Sequence, residues 1–435
     1  MAFLGMRGNG DWVTDQRPKN YRESILYLYP NGEVPLTAIL SKMKSESVDD
    51  PEFNWWTKTL PTQSAAITGV YTNATLATAY VSGGVAGDTL YIKGAAADIA
   101  QFRVGHQVLL RDASDFTVDV NAKVTSKNIN GASSYVGVRL LEADDNSSHS
   151  HDLSDADRLI IIGNINEEGA AMPSAIAYDP VKLYNYTQIF RTPLSITRTA
   201  RKTRLRTGDQ YKEAKREALE MHSLEMEKAF LFGQMLETTG ADGKPERTTQ
   251  GILPCLRANV PANVDSFALN SSYSGKAWMD DGGGESWLDA YLELVFRYGS
   301  GEKLALCGSG AILGLNRLAR AGAHFTLTPQ TKSYGIKVTE WVTPFGIINL
   351  KLAPLFSQES SLQKSMLILE PQNLRYRYID DTSFYGEGAA KQAAPGTNSG
   401  RRDGTVEEYL TEAGLEMHHP ATMMFLDGVG DDCSA

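Results

Sequence analysis

The stretch NYTQIFRTPLSITRTARKTRLRTGDQYKEAKREALEMHSLEMEKAFLFG occupies residues 185–233. Pro193 argues against a helix in its first part, which is therefore interpreted as an extended arm. The second part places apolar residues at helical spacing, which predicts a helix over 207–237 with Thr207 and Gln210 as a capping box. Such a helix would be roughly 45 Å long, as expected of a strut. The stretch therefore predicts an extended arm followed directly by a long helix.

A second extended arm, PEFNWWTKTLP, spans residues 51–61. Prolines bracket it, and its aromatic residues favour a β-strand. Two arms that are too long to fold back on a compact core need a neighbouring subunit to bury their apolar side chains. The residues predicted to make these inter-subunit contacts are Phe53, Trp55, Trp56, Tyr184, Tyr186 and Phe190. The arms therefore indicate a subunit of a shell or lattice, not a catalyst.

Length and composition narrow the class of protein. A chain of 435 residues is long enough for two or three domains with at least one full-sized core. Its 52 acidic and 42 basic residues give a formal net charge of −10, which argues against a dedicated nucleic-acid binder. No run of about 18 apolar residues occurs, so no membrane partner is predicted. The three widely spaced cysteines predict neither a disulfide scaffold nor a zinc site, and they indicate synthesis in a reducing cytoplasm.

The segment 77–164 has a different residue pattern from the arms on either side of it. Short runs of strand-forming residues alternate there with glycine, aspartate and serine turns. This pattern predicts a small antiparallel β-barrel or sandwich. Because extended sequence resumes after it, we interpret the segment as an inserted all-β domain.

The C-terminal half mixes helices and strands. The run KLALCGS, 303–309, predicts a buried strand, and a helix to about residue 321 follows it. Strand, turn and helix in this order indicate an α/β layer. The runs EEYLTEAGLEMHH and TMMFLDG predict two closing strands. The predicted fold class for the whole chain is α+β.

No catalytic, cofactor-binding or metal site is predicted. His149 and His151 lie in an acidic loop, but nothing fixes ligand geometry there, so a polar surface loop is favoured, with a calcium site as the exception. Ser309 is interpreted as a helix cap and Cys307 as an inert core residue. His222 is interpreted as a histidine on the helix surface or at an interface, because no second helix repeats its pairing with a carboxylate.

Several phrases and their order resemble the major capsid proteins of tailed bacteriophages, which share the Hong Kong 97 fold. The phrases that carry the resemblance are DDPEFNWW (49–56), NYTQIFRTPLSITRTA (185–200), EKAFLFG (227–233), TTQGILP (248–254), LALCGSGAI (304–312) and EEYLTEAGLEMHHP (407–420). The resemblance covers nearly the whole chain and is weakest in the inserted segment. It implies an α+β capsid fold with an N-terminal arm, an extended loop, a long spine helix, and peripheral and axial domains.

Carried over by position, the resemblance implies seven parts. They are an N-terminal arm (1–50), the first limb of the extended loop (51–76), the inserted β-domain (77–164), the second limb (165–206), the spine helix of the peripheral domain (207–249), the axial domain (250–365) and the closing strands of the peripheral domain (366–435).

The function implied by the resemblance is structural. Copies of the chain would assemble in the bacterial cytoplasm, as hexamers and pentamers, into the icosahedral head of a virion around double-stranded DNA. Portal, scaffold and decoration proteins are further partners that the resemblance allows, and no cofactor is implied. The alternative is a shell protein whose inserted β-domain also binds a glycan of the host surface or another partner.

A basic segment has two interpretations. Its predicted members are Arg198, Arg201, Lys202, Arg204 and Arg206. Contact with packaged DNA is one interpretation, because phosphate affinity comes from such charges. Pairing with acidic residues of neighbouring subunits is the other, and we favour it because the chain is acidic overall.

Overall fold

The structure is a computed structural model of the chain. It describes residues 44–58, 61–113, 119–144, 152–169, 172–173, 175–203, 209–321, 326–333, 336–385 and 404–433. The predicted N-terminal arm lies outside these residues except for its last seven. The chain divides into two compact units, one formed by Met1–Trp55 with Lys182–Ala435 and the other by Trp56–Val181.

More of the described residues lie in strands than in helices. In chain order the strands are β1 (Ser45–Ser47), β2 (Glu52–Thr57), β3 (Ser64–Tyr71), β4 (Thr89–Gly94), β5 (His106–Arg111), β6 (Asp119–Asn128), β7 (Tyr135–Leu140), β8 (Arg158–Asn164), β9 (Val181–Tyr186), β10 (Gln188–Thr197), β11 (Leu236–Thr239), β12 (Pro245–Thr248), β13 (Val264–Ser266), β14 (Glu302–Cys307), β15 (Thr326–Ser333), β16 (Ile336–Val342), β17 (Ile347–Leu352), β18 (Met366–Leu369), β19 (Leu374–Tyr385), β20 (Gly404–Met417) and β21 (Met424–Asp427). The helices are α1 (Ala96–Ile99), α2 (Arg198–Lys202), α3 (Gln210–Phe232), α4 (Ile252–Asn259), α5 (Gly284–Phe296), α6 (Ser309–Ala321) and α7 (Pro354–Gln358).

The second unit contains a closed β-barrel with strand order β3-β4-β7-β6-β5-β8. Its strands alternate between the two sides of the wall; on β6, for example, Val120, Ala122 and Val124 point into the apolar core. The predicted boundary between residues 76 and 77 needs correction. The strand β3 was assigned to the first limb of the extended loop, but it closes the barrel between β4 and β8.

A four-stranded sheet with the order β1-β19-β20-β10 forms one layer of the first unit. The strand β10 pairs with β20 along its whole length, and the helix α3 packs on both. The predicted second limb of the extended loop, 165–206, is therefore wrong over β10, because Phe190 and every second residue after it are buried within the chain itself. Pro193 fits there because β10 is paired on one side only, which leaves room for a residue without an N–H.

The long helix is shorter than predicted. The observed helix α3 spans Gln210–Phe232, about 35 Å, and begins at Asp209, whose side chain accepts a hydrogen bond from the Tyr211 N–H at 3.0 Å. Thr207, the predicted cap, lies outside the described residues. The helix ends at Gly233, where an added Cβ would lie 2.5 Å from the Ala229 carbonyl oxygen. The chain then turns into the β11–β12 hairpin.

A seven-stranded sheet with the order β13-β21-β18-β14-β17-β16-β15 forms the other layer of this unit. The apolar residues of α5 and α6 share a core with it. The closing segment 366–435 was predicted to complete a single sheet of the peripheral domain, but the structure divides its strands between the two sheets. All four residues of β18 are buried, as expected of a strand covered on both faces, and β21 pairs with it. Only β19 and β20 join the four-stranded sheet.

Candidate assembly surface

The aromatic residues of the first arm lie on opposite faces of β2, which pairs with β9. Phe53 and Trp55 point inward and stack with ring centroids 6.1 Å apart, whereas Trp56 points outward and is 64 % exposed. The Phe53 ring lies against Gly414 of β20, where an added Cβ would come within 2.8 Å of it. A strand reverses its side chains at every residue, so neighbouring tryptophans cannot share one environment.

The prediction that all six aromatic residues contact a neighbouring subunit needs correction for three of them. Phe53, Trp55 and Phe190 are at least nine-tenths buried within this chain. Such side chains have little surface left for a neighbour. They stabilise the fold of the first unit and are core residues.

Three of the predicted contact residues keep exposed surface. Trp56 and Tyr184 are exposed, and Tyr186 is half-buried. The rings of the two tyrosines meet edge to face with centroids 5.9 Å apart. Partial burial, followed by the carboxylates of Glu237 and Glu52, raises the pKa of Tyr186. We refer to Trp56, Tyr184 and Tyr186 as the exposed aromatic set.

The basic segment begins with a short helix where an extended arm was predicted. The Thr197 side chain caps α2 by accepting a hydrogen bond from the Ala200 N–H at 3.2 Å. Arg198, Arg201 and Lys202 are exposed on this helix. The other two predicted members, Arg204 and Arg206, lie outside the described residues.

Part of the basic charge is already paired within the chain. The Arg191 guanidinium binds the Glu408 carboxylate through two atoms, with Nη2–Oε1 and Nε–Oε2 distances of 2.7 and 2.9 Å. The Arg201 guanidinium lies 4.8 Å from the centroid of the Tyr211 ring. The Tyr211 hydroxyl in turn donates to Glu407 at 2.5 Å. Acidic residues of β20 therefore lie beside the start of the basic segment.

A buried histidine links α3 to the sheet, although the sequence reading placed it on a surface. Its ring lies between the hydroxyls of Thr192 on β10 and Thr411 on β20, at 2.9 and 2.8 Å from His222 Nδ1 and Nε2. The neighbouring Met221 lies on the exposed side of the helix. The spacing of Ala218, His222 and Met226 by four residues was the signal for the buried face.

A buried ion pair lies at the seven-stranded sheet and was not predicted. Lys303 at the start of β14 is fully buried, and its Nζ lies 3.5 Å from Glu370 Oε2. The same ammonium group donates to the carbonyl oxygens of Tyr298 and Thr422 at 3.2 and 3.1 Å. Three acceptors match the three N–H bonds of the ammonium group, so the site satisfies the charged form of Lys303.

The described residues contain no group of three or more metal-ligating side chains. His149 and His151 lie outside these residues. Cys307 is buried in β14, and burial raises its pKa, which disfavours the reactive thiolate. Among the helices that the structure describes, none is long and apolar enough to cross a membrane.

Comparison with known proteins identifies the family. A family model described as SU10 major capsid protein matches residues 7–430, which is nearly the whole chain. The chain belongs to this family. A curated relative, the major capsid protein of Pseudomonas phage PaMx41, is 25 % identical over 420 residues, which cover 94 % of this chain and 92 % of the relative. The predicted function, a major capsid protein that forms the head shell of a phage, is confirmed by this membership, and so is the α+β capsid fold class of Hong Kong 97 type.

Solved capsid structures are also similar to the chain. The structure described as Mycobacterium phage Bobi matches with a TM-score of 0.46 at 8 % identity, covering 95 % of this chain and 96 % of that one. The capsid of a native GTA particle matches with a TM-score of 0.44 at 9 % identity, covering 98 % of both chains. The comparisons give no support to the alternative in which the inserted β-domain binds a host glycan.

Proposed function

We propose that this SU10-family capsid protein tiles an icosahedral head as hexamers and pentamers and performs no catalysis. Assembly would take place in the cytoplasm of the bacterial host, around double-stranded DNA. Portal, scaffold and decoration proteins are the further partners that we expect. The exposed aromatic set supports the proposal of subunit contacts. Aromatic side chains that remain exposed in the single chain are the usual anchors of an interface.

The exposed aromatic set can be tested against its buried counterpart. We expect Trp56→Ala combined with Tyr184→Ala to leave a folded, soluble subunit that fails to form shells, since interface aromatics typically contribute about 2 kcal/mol or more each. Negative-stain electron microscopy reports the shells, and circular dichroism reports the fold. Normal shells from the double variant would overturn the assignment of these residues to an interface.

The matched control is Trp55→Ala at the neighbouring position. Because Trp55 is buried in the chain itself, its loss should cost about 3–5 kcal/mol of folding stability. We therefore expect Trp55→Ala to lower the unfolding temperature of the unassembled subunit, whereas Trp56→Ala should leave that temperature nearly unchanged. Equal effects of the two substitutions would contradict the division into core and surface residues.

For the exposed residues of the basic segment, we favour subunit pairing over contact with DNA. This choice is supported by the pairing of the adjacent Arg191 with a carboxylate of the same acidic chain. Neutralising Arg198, Arg201 and Lys202 should then reduce shell assembly. DNA contact would become the better interpretation if this variant assembled normally but its shells lost salt-sensitive DNA binding.

A further inference from the structure

The joint between α3 and the four-stranded sheet contains one titratable ring with both nitrogens engaged. His222 is 1 % exposed, with its Nδ1 facing the Thr192 hydroxyl on β10 and its Nε2 facing the Thr411 hydroxyl on β20. Thr411 in turn donates to the Thr382 hydroxyl on β19 at 2.9 Å. One imidazole therefore connects the helix to three strands.

Each threonine hydroxyl can donate as well as accept, so the neutral ring can be satisfied at both nitrogens. When Thr411 gives its hydrogen to Thr382, it accepts from His222 Nε2–H. The Nδ1 atom then has only a lone pair, and the Thr192 hydroxyl donates to it. Every member of the chain is satisfied when the imidazole is neutral, so the neutral ring fits the joint.

The Glu225 carboxylate lies beside Thr192 and can accept a hydrogen bond from its hydroxyl. The Thr192 hydroxyl oxygen lies 3.5 Å from Glu225 Oε2, and Glu225 is an exposed residue on the same helix as His222. If Nδ1 took up a proton from water, Nδ1–H would donate to Thr192, whose hydroxyl hydrogen would have to turn to Glu225. Protonation therefore reverses one hydrogen bond and makes the Glu225 carboxylate part of the joint.

The other groups around the ring do not supply a closer counter-charge. On β20 the Tyr409 ring lies 6.1 Å from the imidazole, and on β10 the Phe190 ring lies 6.5 Å from it. Lys215 of α3 lies over the Phe384 ring of β19, which contacts Tyr409 and so separates this cation from His222. Among the described residues that face the ring, Glu225 is the carboxylate that can accept the Thr192 hydrogen when the ring is protonated.

We propose that His222 is a proton-operated switch of the joint between α3 and the four-stranded sheet, with Glu225 as the positioning residue that receives the Thr192 hydroxyl when the ring is charged. The neutral ring holds the helix on the sheet. The charged ring is buried with hydroxyls as its contacts and the Glu225 carboxylate one hydrogen bond away, so its charge is costly to keep there and the helix loosens from β10 and β20. This property of the single subunit is independent of the proposed subunit contacts.

The direction of the pH effect follows from the burial. Burial lowers the pKa of His222, and the nearby Glu225 carboxylate partly opposes that change. Below the ordinary histidine value of about 6.5 the opened joint therefore binds a proton that the closed joint does not. The closed joint is fully stable above that pH and loses stability as the pH falls toward the pKa of the buried ring. Within this window the population of the opened joint rises by at most about tenfold per pH unit.

The test uses the full-length, unassembled subunit labelled with 13C at histidine Cε1. The resonance that is missing from His222→Gln identifies the ring, and amide hydrogen exchange follows α3 and β10 in the same samples. We expect the His222 resonance to titrate below pH 6.5. Exchange in α3, corrected for its intrinsic pH dependence, should accelerate as the pH falls below that value, while exchange in the barrel strands should not.

Two variants separate the switch from a merely structural histidine. His222→Gln should abolish the acid acceleration of exchange in α3. Glu225→Gln, an exposed substitution that leaves the neutral bridge intact, should move the titration of His222 to lower pH. Should His222→Gln fail to fold, the wild-type titration and Glu225→Gln still decide the matter. An unchanged acceleration in His222→Gln, or an unmoved titration in Glu225→Gln, would overturn the proposal.

Discussion

Lys303 and His222 are buried titratable side chains at the two sheets of the first unit, and the two sites satisfy these side chains differently. At the seven-stranded sheet Lys303 is buried with the carboxylate of Glu370 and two backbone carbonyls. At the four-stranded sheet His222 is buried between two threonine hydroxyls, with the Glu225 carboxylate one hydrogen bond further away. The first site compensates a charge, and the second accommodates a neutral ring.

The difference decides which site responds to pH. Burial lowers the pKa of Lys303 from an ordinary value of 10.5, and Glu370 opposes that change. The folded chain then loses this proton before the unfolded chain does, so any resulting gain in stability appears as the pH rises toward 10.5. The window of His222 lies below about pH 6.5, where the neutral ring loses stability. The two sites therefore respond in different pH ranges, the Lys303 site toward alkaline pH and the His222 joint toward acid pH.

The largest expected effect comes from removing one partner of the buried ion pair. We expect Glu370→Ala to lower the free energy of unfolding of the unassembled subunit by about 3–5 kcal/mol, because Lys303 would keep a buried charge without a counter-charge. Urea denaturation followed by circular dichroism measures this loss.

The comparison between buried and exposed charge has its own controls. Lys364→Met removes the ion pair with Asp431, whose side chains are both more than a third exposed, and should cost at most about 1 kcal/mol. Replacing both buried partners, with Lys303→Met and Glu370→Leu together, should recover much of the loss seen in Glu370→Ala. A double variant no more stable than Glu370→Ala would show that shape, and not charge, dominates the site.

A smaller loss is expected when the neutral bridge is broken. Thr411→Val keeps the volume of the side chain but leaves His222 Nε2 without its hydroxyl partner in a buried site. The expected cost is about 1–3 kcal/mol, the usual cost of a buried polar group without a partner. The same denaturation measurement at pH 7.5 reports it, because the ring is neutral there.

Thr382→Val is the matched control for the neutral bridge. Thr382 belongs to the same chain of hydroxyls, but it is exposed, so water can replace the bond that it loses. We therefore expect a much smaller change than in Thr411→Val. If the two variants were equally unstable, the His222 bridge would not be the reason for the cost.

Local patterns predicted most of the elements of this chain. The long helix and the strand β14 with the helix α6 after it lie close to where the periodicity places them. The burial of the aromatic residues of the arms could not be predicted locally. Phe53 is buried because Gly414, 361 positions further along the chain, leaves space for its ring.

The buried polar sites were harder to predict than the elements. His222 lies 30 positions from Thr192 and 189 from Thr411, so no local pattern shows that hydroxyls meet its ring. Lys303 interrupts an apolar strand, which is a signal of a buried charge, but its partner Glu370 is 67 positions away. Long-range partners of this kind become visible only when the strands are placed side by side.

Asp209 caps the start of α3 through a polar contact at an exposed helix end, so its loss should cost less than the loss of a buried contact. Asp209→Ala removes the acceptor of the Tyr211 N–H, and we expect it to cost about 1 kcal/mol. Asp209→Asn keeps an acceptor oxygen at the cap and should retain most of the stability. Both values come from urea denaturation, and a full loss in the asparagine variant would assign the effect to charge at the helix end instead.

The smallest effect is expected on the outer face of the strand that carries Thr192. The neighbouring Arg191 points to the opposite side of β10, where it forms an exposed two-atom ion pair with Glu408. We expect Arg191→Ala to cost about 0.2–1 kcal/mol, with the difference from wild type shrinking at high salt, because water and ions screen this pair. A double-mutant cycle with Glu408→Ala isolates the coupling energy. A coupling above about 2 kcal/mol that persists in high salt would mean that exposed pairs on this sheet rival the buried ones, and the contrast drawn between the two faces of β10 would fail.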